Sequence, residues 1–370
     1  MQNPFKYGCV VEGGHFCPRP ELSRRLRDYI ARGQNLVVQG DRRIGKSSLV
    51  KNTIKGMRGY HPLMIDLMGV KNVSDICNRV AAALISFDDS DSIIRRVVGL
   101  FAHLKPVVSV DAITGMPTIS VDRRSSEDPS SISVALKAIV DHVKGRRACV
   151  VLDEFQDILD LKDGEQVLSI MRGVIQHVSE VSFVYLGSSR DEMLNIFMSP
   201  KSPFYKSALL FAVEEFEEKA LFEFVSDKFK GGKRKLDAEF FHRIWEFVQH
   251  TTGDVQEFCD ALWTVTQSGD RLGDVEFGNA LEEIFRRESF SYATFIKNLT
   301  DIQFRVLKAL AELGGEHPLS SEFLNAAHIT THASVNRSLT SLCNAGLIYP
   351  QSGDHKFMNP FFKEWVRRVK

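Results

Sequence analysis

Residues 40–47, GDRRIGKS, constrain this chain more than any other part of its sequence. They match G-x-x-x-x-G-K-[ST] and stand between a short apolar run at 35–39 and a segment with helical apolar spacing. Such a loop turns backbone N–H groups toward phosphate oxygens, while its lysine reaches further phosphates and its hydroxyl ligates Mg²⁺. The motif therefore predicts a nucleotide site. The residues assigned to it are Gly40, Asp41, Arg42, Arg43, Ile44, Gly45, Lys46, Ser47 and Ser48.

Short apolar runs without alternation recur along the first half of the chain. They lie at 35–39, 63–67, 148–152 and 181–186. Stretches with apolar residues three and four apart separate them, as expected of helices. Such runs are typical of parallel strands whose two faces are both covered by helices. The sequence predicts an α/β core over residues 1–213, with two helices between 74 and 104 that break at 89–91.

A different pattern interrupts this core at 107–122, where apolar and polar residues alternate on both sides of TGMP at 114–117. It predicts a β-hairpin that projects from the core, followed by a Ser- and Asp-rich loop at 123–131. We interpret the hairpin as scaffold or as a partner contact rather than as a catalytic element.

The pattern becomes wholly helical from about residue 214. Residues 214–296 are predicted to form a helical lid. Residues 297–370 are predicted to form three helices followed by a short β-hairpin, with Thr300 as a helix N-cap. Three helices and a hairpin are typical of the winged helix-turn-helix. The predicted order is therefore an α/β core, an all-α lid and a winged helix.

An acidic pair, Asp153 and Glu154, ends the third apolar run. Side chains at the carboxyl end of a buried strand lie beside the ligand in an open α/β sheet. Asp153 is therefore predicted to hold Mg²⁺ through water, and Glu154 to orient and deprotonate the attacking water. Taken alone, the pair would fit a solvated strand end, but the upstream phosphate loop favours the functional interpretation.

Polar residues also follow the fourth run. Ser188 and Ser189 are predicted either to help hold the water near the γ-phosphate or to cap the next helix. Arg190 and Lys206 are candidates for a cation presented to the nucleotide of a neighbouring subunit, which would require a homo-oligomer. The alternative is that each of the two is an ordinary surface cation.

Charge and cysteine content narrow the function classes. Lys plus Arg and Asp plus Glu number 47 each, which excludes a protein that coats nucleic acid through bulk charge. The six scattered cysteines include no C-x-x-C pair, which argues against a zinc site. The sequence has no signal-peptide pattern and no apolar run of about 18 residues, so we expect a soluble cytoplasmic protein without a membrane contact.

The predicted winged helix carries local positive charge. Residues 297–370 contain nine Lys or Arg and six Asp or Glu. The predicted recognition helix offers Asn336 and Arg337, side-chain types that pair with purine edges, and Arg367 and Arg368 lie near the C-terminus. Double-stranded DNA is therefore a candidate partner. A protein partner, or packing against the lid, is the alternative.

Together these segments resemble the archaeal-type ATPase family. The resemblance rests on FCPRPEL, GDRRIGKSSL, VVLDEFQDI, YLGSS and the terminal NPFFKEWV. The family lies within the AAA+ and STAND group of P-loop ATPases, and the similarity extends to archaeal replication initiators. It implies ATP and Mg²⁺ as ligands, with Arg19 near the adenine. It further implies Asp153 and Glu154 as the Walker B pair, and Ser188 or Ser189 as the first sensor.

One departure from the family pattern concerns TGDVQ at 252–256, where relatives place a Gly-x-Pro or a Gly-Asp-x-Arg sensor. Gln256 is neutral and cannot supply the charge that such an arginine gives the γ-phosphate. We therefore expect an ATPase that is slow or needs a partner's cation, and whose nucleotide state moves the winged-helix arm on DNA or a DNA-bound partner. The alternatives are a nucleotide-dependent signalling switch whose winged helix binds protein, and a small-molecule kinase.

Overall fold

The computed structural model describes residues 2–87, 99, 106–110, 117–121, 128–178, 181–351 and 353–369. The chain divides into two compact units. The first is Cys9–Glu215, and the second is Phe216–Lys370 together with Met1–Gly8. No helix in the described part of the chain is long and apolar enough to cross a membrane.

The first unit alternates strands and helices. Its strands are β1 (Leu36–Gln39), β2 (His61–Asp66), β3 (Pro106–Val110), β4 (Pro117–Val121), β5 (Ala148–Asp153), β6 (Ser182–Leu186) and β7 (Leu209–Ala212). Its helices are α1 (Pro20–Ala31), α2 (Lys46–Lys55), α3 (Val73–Phe87), α4 (Ser131–Val143), α5 (Gly164–Ile175) and α6 (Arg190–Met198). Short 3-10 turns lie at Gly13–His15 and Phe155–Asp160.

Five of these strands form one parallel sheet in the order β2-β5-β6-β1-β7. Leu36 and Val38 of β1 belong to the hydrophobic cluster that includes α1 and α2. Val37, between them, belongs to the cluster that includes α3, α4 and α5. Both faces of the sheet are therefore covered, which explains why its strands are apolar without alternation. The predicted α/β core with a parallel sheet is confirmed.

Strands β3 and β4 form a separate antiparallel pair, from Pro106 opposite Val121 to Val110 opposite Pro117. They are the two strands expected of the hairpin at 107–122. The expected turn, TGMP, lies outside the described residues except for Pro117. The second helix predicted before residue 104 also lies outside them, apart from Gly99.

The second unit is mostly helical. Its helices are α7 (Glu218–Gly231), α8 (Ala238–Phe247), α9 (Thr252–Val265), α10 (Asp274–Lys297), α11 (Asp301–Leu313), α12 (Ser321–Ala326), α13 (His332–Asn344) and α14 (Pro360–Arg368). Its strands are β8 (Ile348–Gln351) and β9 (Asp354–Phe357), which pair antiparallel. The Thr300 side chain accepts a hydrogen bond from the Gln303 N–H and so caps α11. Helices α11 to α13 followed by the β8–β9 hairpin form the winged helix.

Residues 2–8 pack with the helices of the second unit. Asn3 Nδ2 donates to Asp260 Oδ1 at 2.7 Å, and the ring centroids of Phe5 and Phe229 lie 4.9 Å apart. Arg287 Nη1 donates to the other oxygen of the same carboxylate, Asp260 Oδ2, at 2.6 Å. The amino terminus is thus part of the helical unit, although it precedes the α/β unit in sequence.

Candidate nucleotide-binding site

The loop of residues 40–45 joins β1 to α2 at the carboxyl edge of the sheet. Gly45 has a φ of +86° immediately before the first residue of α2, a left-handed conformation that glycine adopts without strain. Position 40 has no room for a side chain, because a Cβ on Gly40 would lie 2.5 Å from the Val213 carbonyl oxygen. The two glycines of the motif therefore serve different steric needs.

Lys46 lies at the centre of this loop and is only 8% exposed. Its Nζ donates to the carbonyl oxygens of Gly40 and Asp41, both at 2.8 Å. Burial lowers the pKa of Lys46, and the carboxylates of Glu154 and Asp153 oppose that change. The loop thus holds a buried ammonium group beside two carboxylates, with only carbonyl oxygens as its hydrogen-bond acceptors in the described part of the chain.

Ser47 and Asp153 meet although they are far apart in sequence. Ser47 Oγ donates to Asp153 Oδ2 at 2.6 Å, and the Glu154 N–H donates to Asp153 Oδ1 at 3.1 Å. Burial raises the pKa of Asp153, and the Ser47 hydroxyl bond opposes that change. A hydroxyl and a carboxylate are hard oxygen donors of the kind that Mg²⁺ prefers.

Glu154 is held on a strained backbone, with φ +50° and ψ +46°. Such left-handed values are costly for a residue other than glycine and persist where the surroundings enforce them, often at functional sites. Its Oε2 accepts hydrogen bonds from Ser188 Oγ at 2.7 Å, from the Ser188 N–H at 3.2 Å and from Gln156 Nε2 at 2.7 Å. Its Oε1 accepts none within the described residues. One carboxylate oxygen is therefore fixed while the other remains open to a ligand.

Gln156 is a further candidate for the site that the motifs do not identify, because its Nε2 binds Glu154. It is 5% exposed, and its Nε2 also donates to Asp157 Oδ1 at 2.8 Å. Asp157 in turn accepts from the Gly69 N–H at 2.7 Å. The only signal in the sequence is the position of Gln156, two residues after the acidic pair, which places it in the 3-10 turn behind that pair.

The other residues assigned to the phosphate loop differ in exposure. Ile44 is buried, whereas the side chains of the three charged residues between the glycines are exposed. These three residues are Asp41, Arg42 and Arg43. The hydroxyl of Ser48 is buried and accepts a hydrogen bond from the Val11 N–H at 3.1 Å. Ser48 thus ties the segment before α1 to α2.

The remaining candidates of the first unit follow β6 in the chain. Ser189 precedes α6 as its N-cap residue but makes no side-chain capping bond, while Ser188 binds Glu154. Arg190 is exposed at the start of α6. Lys206 is exposed as well, with its Nζ 5.2 Å from the Tyr205 ring centroid. The structure therefore brings Ser188 to the acidic pair and leaves the two cations on the surface of the first unit.

Arg19 contacts the end of the first unit. Its Nη2 donates to the carbonyl oxygens of Glu214 and Glu215, the second at 3.0 Å. These are the last two residues before the chain enters the helical unit. In that unit Gln256 is 8% exposed within α9, so its neutral side chain is buried among the helices.

The candidate DNA-contacting residues of the winged helix fall into two groups. Asn336 and Arg337 are exposed on α13, the helix in the recognition position. Arg367 and Arg368 on α14 are instead paired with Glu364, at 3.1 and 3.0 Å. Arg368 also binds Glu282 of α10 at 2.7 Å. The first group is available to a ligand, whereas the second contributes to packing between α14 and α10.

Several solved structures share this architecture over nearly the whole chain. The Walker-type ATPase PABY2304 of Pyrococcus abyssi is 16% identical, with a TM-score of 0.62 over 96% of this chain and 97% of that one. The ORC1 protein of Aeropyrum pernix, in complex with DNA, is 14% identical, with a TM-score of 0.53 over 95% and 92%. The ADP form of the ORC2 protein from the same organism is 16% identical, with a TM-score of 0.50 over 98% and 96%.

These likenesses define the class of fold. The chain has the fold of the P-loop ATPases, and residues 290–368 match the family described as a probable winged helix domain. The resemblance to archaeal-type ATPases that the motifs predicted is confirmed at the level of the fold. No curated protein sequence matches the chain.

Proposed function

We propose that this chain binds ATP with Mg²⁺, hydrolyses the ATP, and uses the nucleotide state to move a winged-helix arm on DNA or on a DNA-bound partner. The observation that carries the proposal is that side chains from three separate segments contact one another at the carboxyl ends of the parallel strands. There the Ser47 hydroxyl binds Asp153, and Glu154, the next residue, binds Ser188. The buried ammonium of Lys46 lies within electrostatic reach of both carboxylates.

The donor set at this edge fits a magnesium nucleotide. Ser47 and Asp153 would hold Mg²⁺, which supplies positive charge to the phosphate oxygens when bound. Lys46 would exchange the carbonyl oxygens of Gly40 and Asp41 for phosphate oxygens, because an anionic acceptor forms the stronger hydrogen bond.

Hydrolysis would depend on the orientation of Glu154. Ser188 and Gln156 fix Oε2, so Oε1 would accept the proton of a water that attacks the γ-phosphate. We assign Glu154 as the general base, and Ser188 and Gln156 as the residues that position it.

The connection between the units supports coupling to the arm. Arg19, which the family resemblance puts near the adenine, binds the carbonyl oxygens of Glu214 and Glu215 just before the chain enters the helical unit. A nucleotide that engages Arg19 would change these bonds and so bias the link to the winged helix. DNA as the target is supported by the exposed Asn336 and Arg337, and by the ORC1 likeness, a structure solved with DNA.

The decisive experiment measures phosphate release from ATP and Mg²⁺ by the wild type and by Glu154→Gln. Loss of a general base should lower turnover by about 100-fold or more, while ATP affinity stays within a few-fold. The matched control is Glu165→Gln, which changes an exposed glutamate on α5 of the same unit. Full turnover in Glu154→Gln, or no turnover in the wild type with and without DNA, contradicts the proposal.

Gln256 favours a second candidate, a nucleotide-dependent switch with slow turnover whose winged helix binds protein. Its side chain is neutral and buried, so α9 brings no cation at this position to a γ-phosphate. The switch is distinguished by ATP binding that alters protease sensitivity without phosphate release, together with the absence of salt-dependent binding to duplex DNA.

A further inference from the structure

A polar pocket lies at the amino ends of the sheet's strands, opposite the carboxyl ends that carry the proposed nucleotide site. It has a volume of about 320 Å³ and is lined at the amino ends of β5 and β6 by Ala148 and Ser182. The Walker residues follow the carboxyl ends of the same parallel strands. Since β5 has six residues, the two sites are separated by roughly 20 Å along the strand.

Three arginines dominate this pocket, namely Arg32, Arg146 and Arg147, and we call it the arginine pocket. No carboxylate lines it among the residues that the structure describes. The Ser182 hydroxyl donates to the Ile30 carbonyl at 3.2 Å and so fixes the wall between β6 and α1. The pocket is therefore a concave site with net positive charge on a chain that is neutral overall.

Capping of helix ends does not account for two of these arginines, Arg32 and Arg147. Helices α1 and α4 end beside the pocket, and helix carboxyl ends attract positive charge. A capping arginine would donate to the free carbonyl oxygens there. The side chains of Arg32 and Arg147 are exposed and make no hydrogen bond or ion pair within the described residues. Their guanidinium groups are thus available to an external anion.

Further cations extend the charge along the same edge. Arg58 lies in the segment between α2 and β2, and Lys144 in the segment between α4 and β5. Both are exposed. A single small anion would use only the pocket, whereas a chain of regularly spaced phosphates would also meet the flanking cations.

We propose that the arginine pocket binds a phosphate group, and that its occupant is a backbone phosphate of a nucleic acid. Guanidinium groups match phosphate oxygens in a bidentate geometry, and contacts of this kind position a duplex without reading its sequence. The inference rests on the proposed function in one respect, namely that the chain has a nucleic-acid partner. It requires no ATP turnover and uses a surface of the α/β unit rather than the winged helix.

The test is a salt titration of binding to fluorescently labelled duplex DNA, followed by anisotropy. It compares the full-length wild type with the double variant Arg32→Ala and Arg147→Ala. If each arginine neutralises one phosphate, the slope of log affinity against log salt should fall by about 1.8. The matched control, Lys137→Ala with Lys162→Ala, removes two exposed cations elsewhere in the same unit and should leave the slope unchanged.

Each outcome decides the proposal. An unchanged slope in the arginine variant, or no DNA binding by the wild type, overturns it. A further arm titrates inorganic pyrophosphate into Lys46→Ala protein, in which the phosphate loop is disabled. If pyrophosphate raises the melting temperature only when both pocket arginines are present, while DNA binding does not depend on them, the occupant is a small phosphate ligand and the nucleic-acid assignment fails.

ATP turnover without DNA separates this inference from the proposed function. We expect the same turnover in the wild type, the arginine variant and the lysine control, because the pocket lies at the far edge of the sheet. If the wild type hydrolyses no ATP but the slope difference persists, the proposed function fails and the pocket stands. If ATP is hydrolysed but the slopes agree, the pocket fails and the proposed function stands.

Discussion

The candidate nucleotide site and the winged helix differ in how their candidate functional side chains are held. At the carboxyl edge of the sheet, the side chains of the site bind one another: Ser47 binds Asp153, and Ser188 binds Glu154. On the winged helix, Asn336 and Arg337 project from α13, while Arg367 and Arg368 are used in ion pairs.

The difference follows from the two kinds of scaffold. The carboxyl ends of parallel strands all lie on the same side of the sheet, so residues that follow different strands meet there although they are far apart in sequence. A helix presents every third or fourth residue on a face, but it does not decide whether that face meets a ligand or a neighbouring helix. The spacing of the motifs therefore predicts which side chains meet at the sheet. On the winged helix it predicts only where a side chain lies along the helix, and not what that side chain binds.

Lys46→Ala tests the first half of this comparison and should have the largest effect. Loss of a buried ammonium that binds phosphate should weaken ATP binding by about 100-fold, equivalent to roughly 3 kcal/mol. Titration with a fluorescent ATP analogue measures it. The control is Lys55→Ala in the last turn of the same helix, where the lysine pairs on the surface with Glu12. Wild-type affinity in a folded Lys46→Ala protein would remove the phosphate loop from the site.

Much of the fold was predictable because its signals are local. Strands β1, β5 and β6 are buried on both faces, so each is a short continuous apolar run. The edge strand β2 is buried only at Leu63 and Ile65, but its run at 63–67 is still mostly apolar. The expected strands do not include β7, an edge strand of four residues whose first two, Leu209 and Leu210, are nearly half exposed. Its signal is present, because residues 208–213, ALLFAV, form a continuous apolar run like those of the other strands.

Helix α14 was also not predicted, although its signal is present. The Asn359 side chain accepts hydrogen bonds from the Phe361 and Phe362 N–H groups, and Pro360 occupies the first helical position. An Asn cap followed by proline is a recognised helix start.

Residues of the site were predictable where a motif fixes them and not where tertiary contacts do. Lys46 and Ser47 begin α2 directly after the loop, and Asp153 and Glu154 stand at the end of β5, so the motifs alone bring the four residues together. Gln156 contributes through the 3-10 turn that folds it back onto Glu154, a contact that no spacing rule predicts.

A pair of arginine variants tests the second half of the comparison, with an intermediate effect. Arg337→Ala should lower affinity for duplex DNA by about tenfold and reduce the salt slope by about 1, because it removes one free cation from the recognition helix. Arg368→Ala should have a smaller effect on affinity, since its guanidinium already binds Glu364 and Glu282. Anisotropy titrations over salt measure both. Equal losses would show that the ion pairs of α14 do not withhold Arg368 from DNA.

The smallest effect we predict is on the stability of the folded chain, which the buried carboxylate of Asp153 should lower. Burial raises the pKa of Asp153 above its usual value near 3.8, so the ionised carboxylate opposes folding at neutral pH. Asp153→Asn removes this charge and keeps an oxygen that can accept from Ser47. We expect its melting temperature to rise by about 2–4 °C, the shift that roughly 1 kcal/mol produces in a unit of this size, while binding of Mg²⁺ and ATP is lost.

The pH dependence of that gain identifies its cause. A raised carboxyl pKa means that the folded state takes up the proton at a higher pH than the unfolded chain does. The cost of the charge is therefore complete above the raised pKa of Asp153, and it disappears as the pH falls below 3.8. The melting temperatures of Asp153→Asn and the wild type should converge as the pH is lowered. The control is Asp160→Asn, which changes an exposed carboxylate in the adjacent 3-10 turn and should match the wild type at neutral pH.

A neutral-pH melting temperature for Asp153→Asn below that of the wild type would mean that the Ser47 bond and the attraction to Lys46 outweigh the cost of burial. The site would then stabilise the fold even without its ligand, and its side chains would differ from those of the winged helix in stability as well as in geometry.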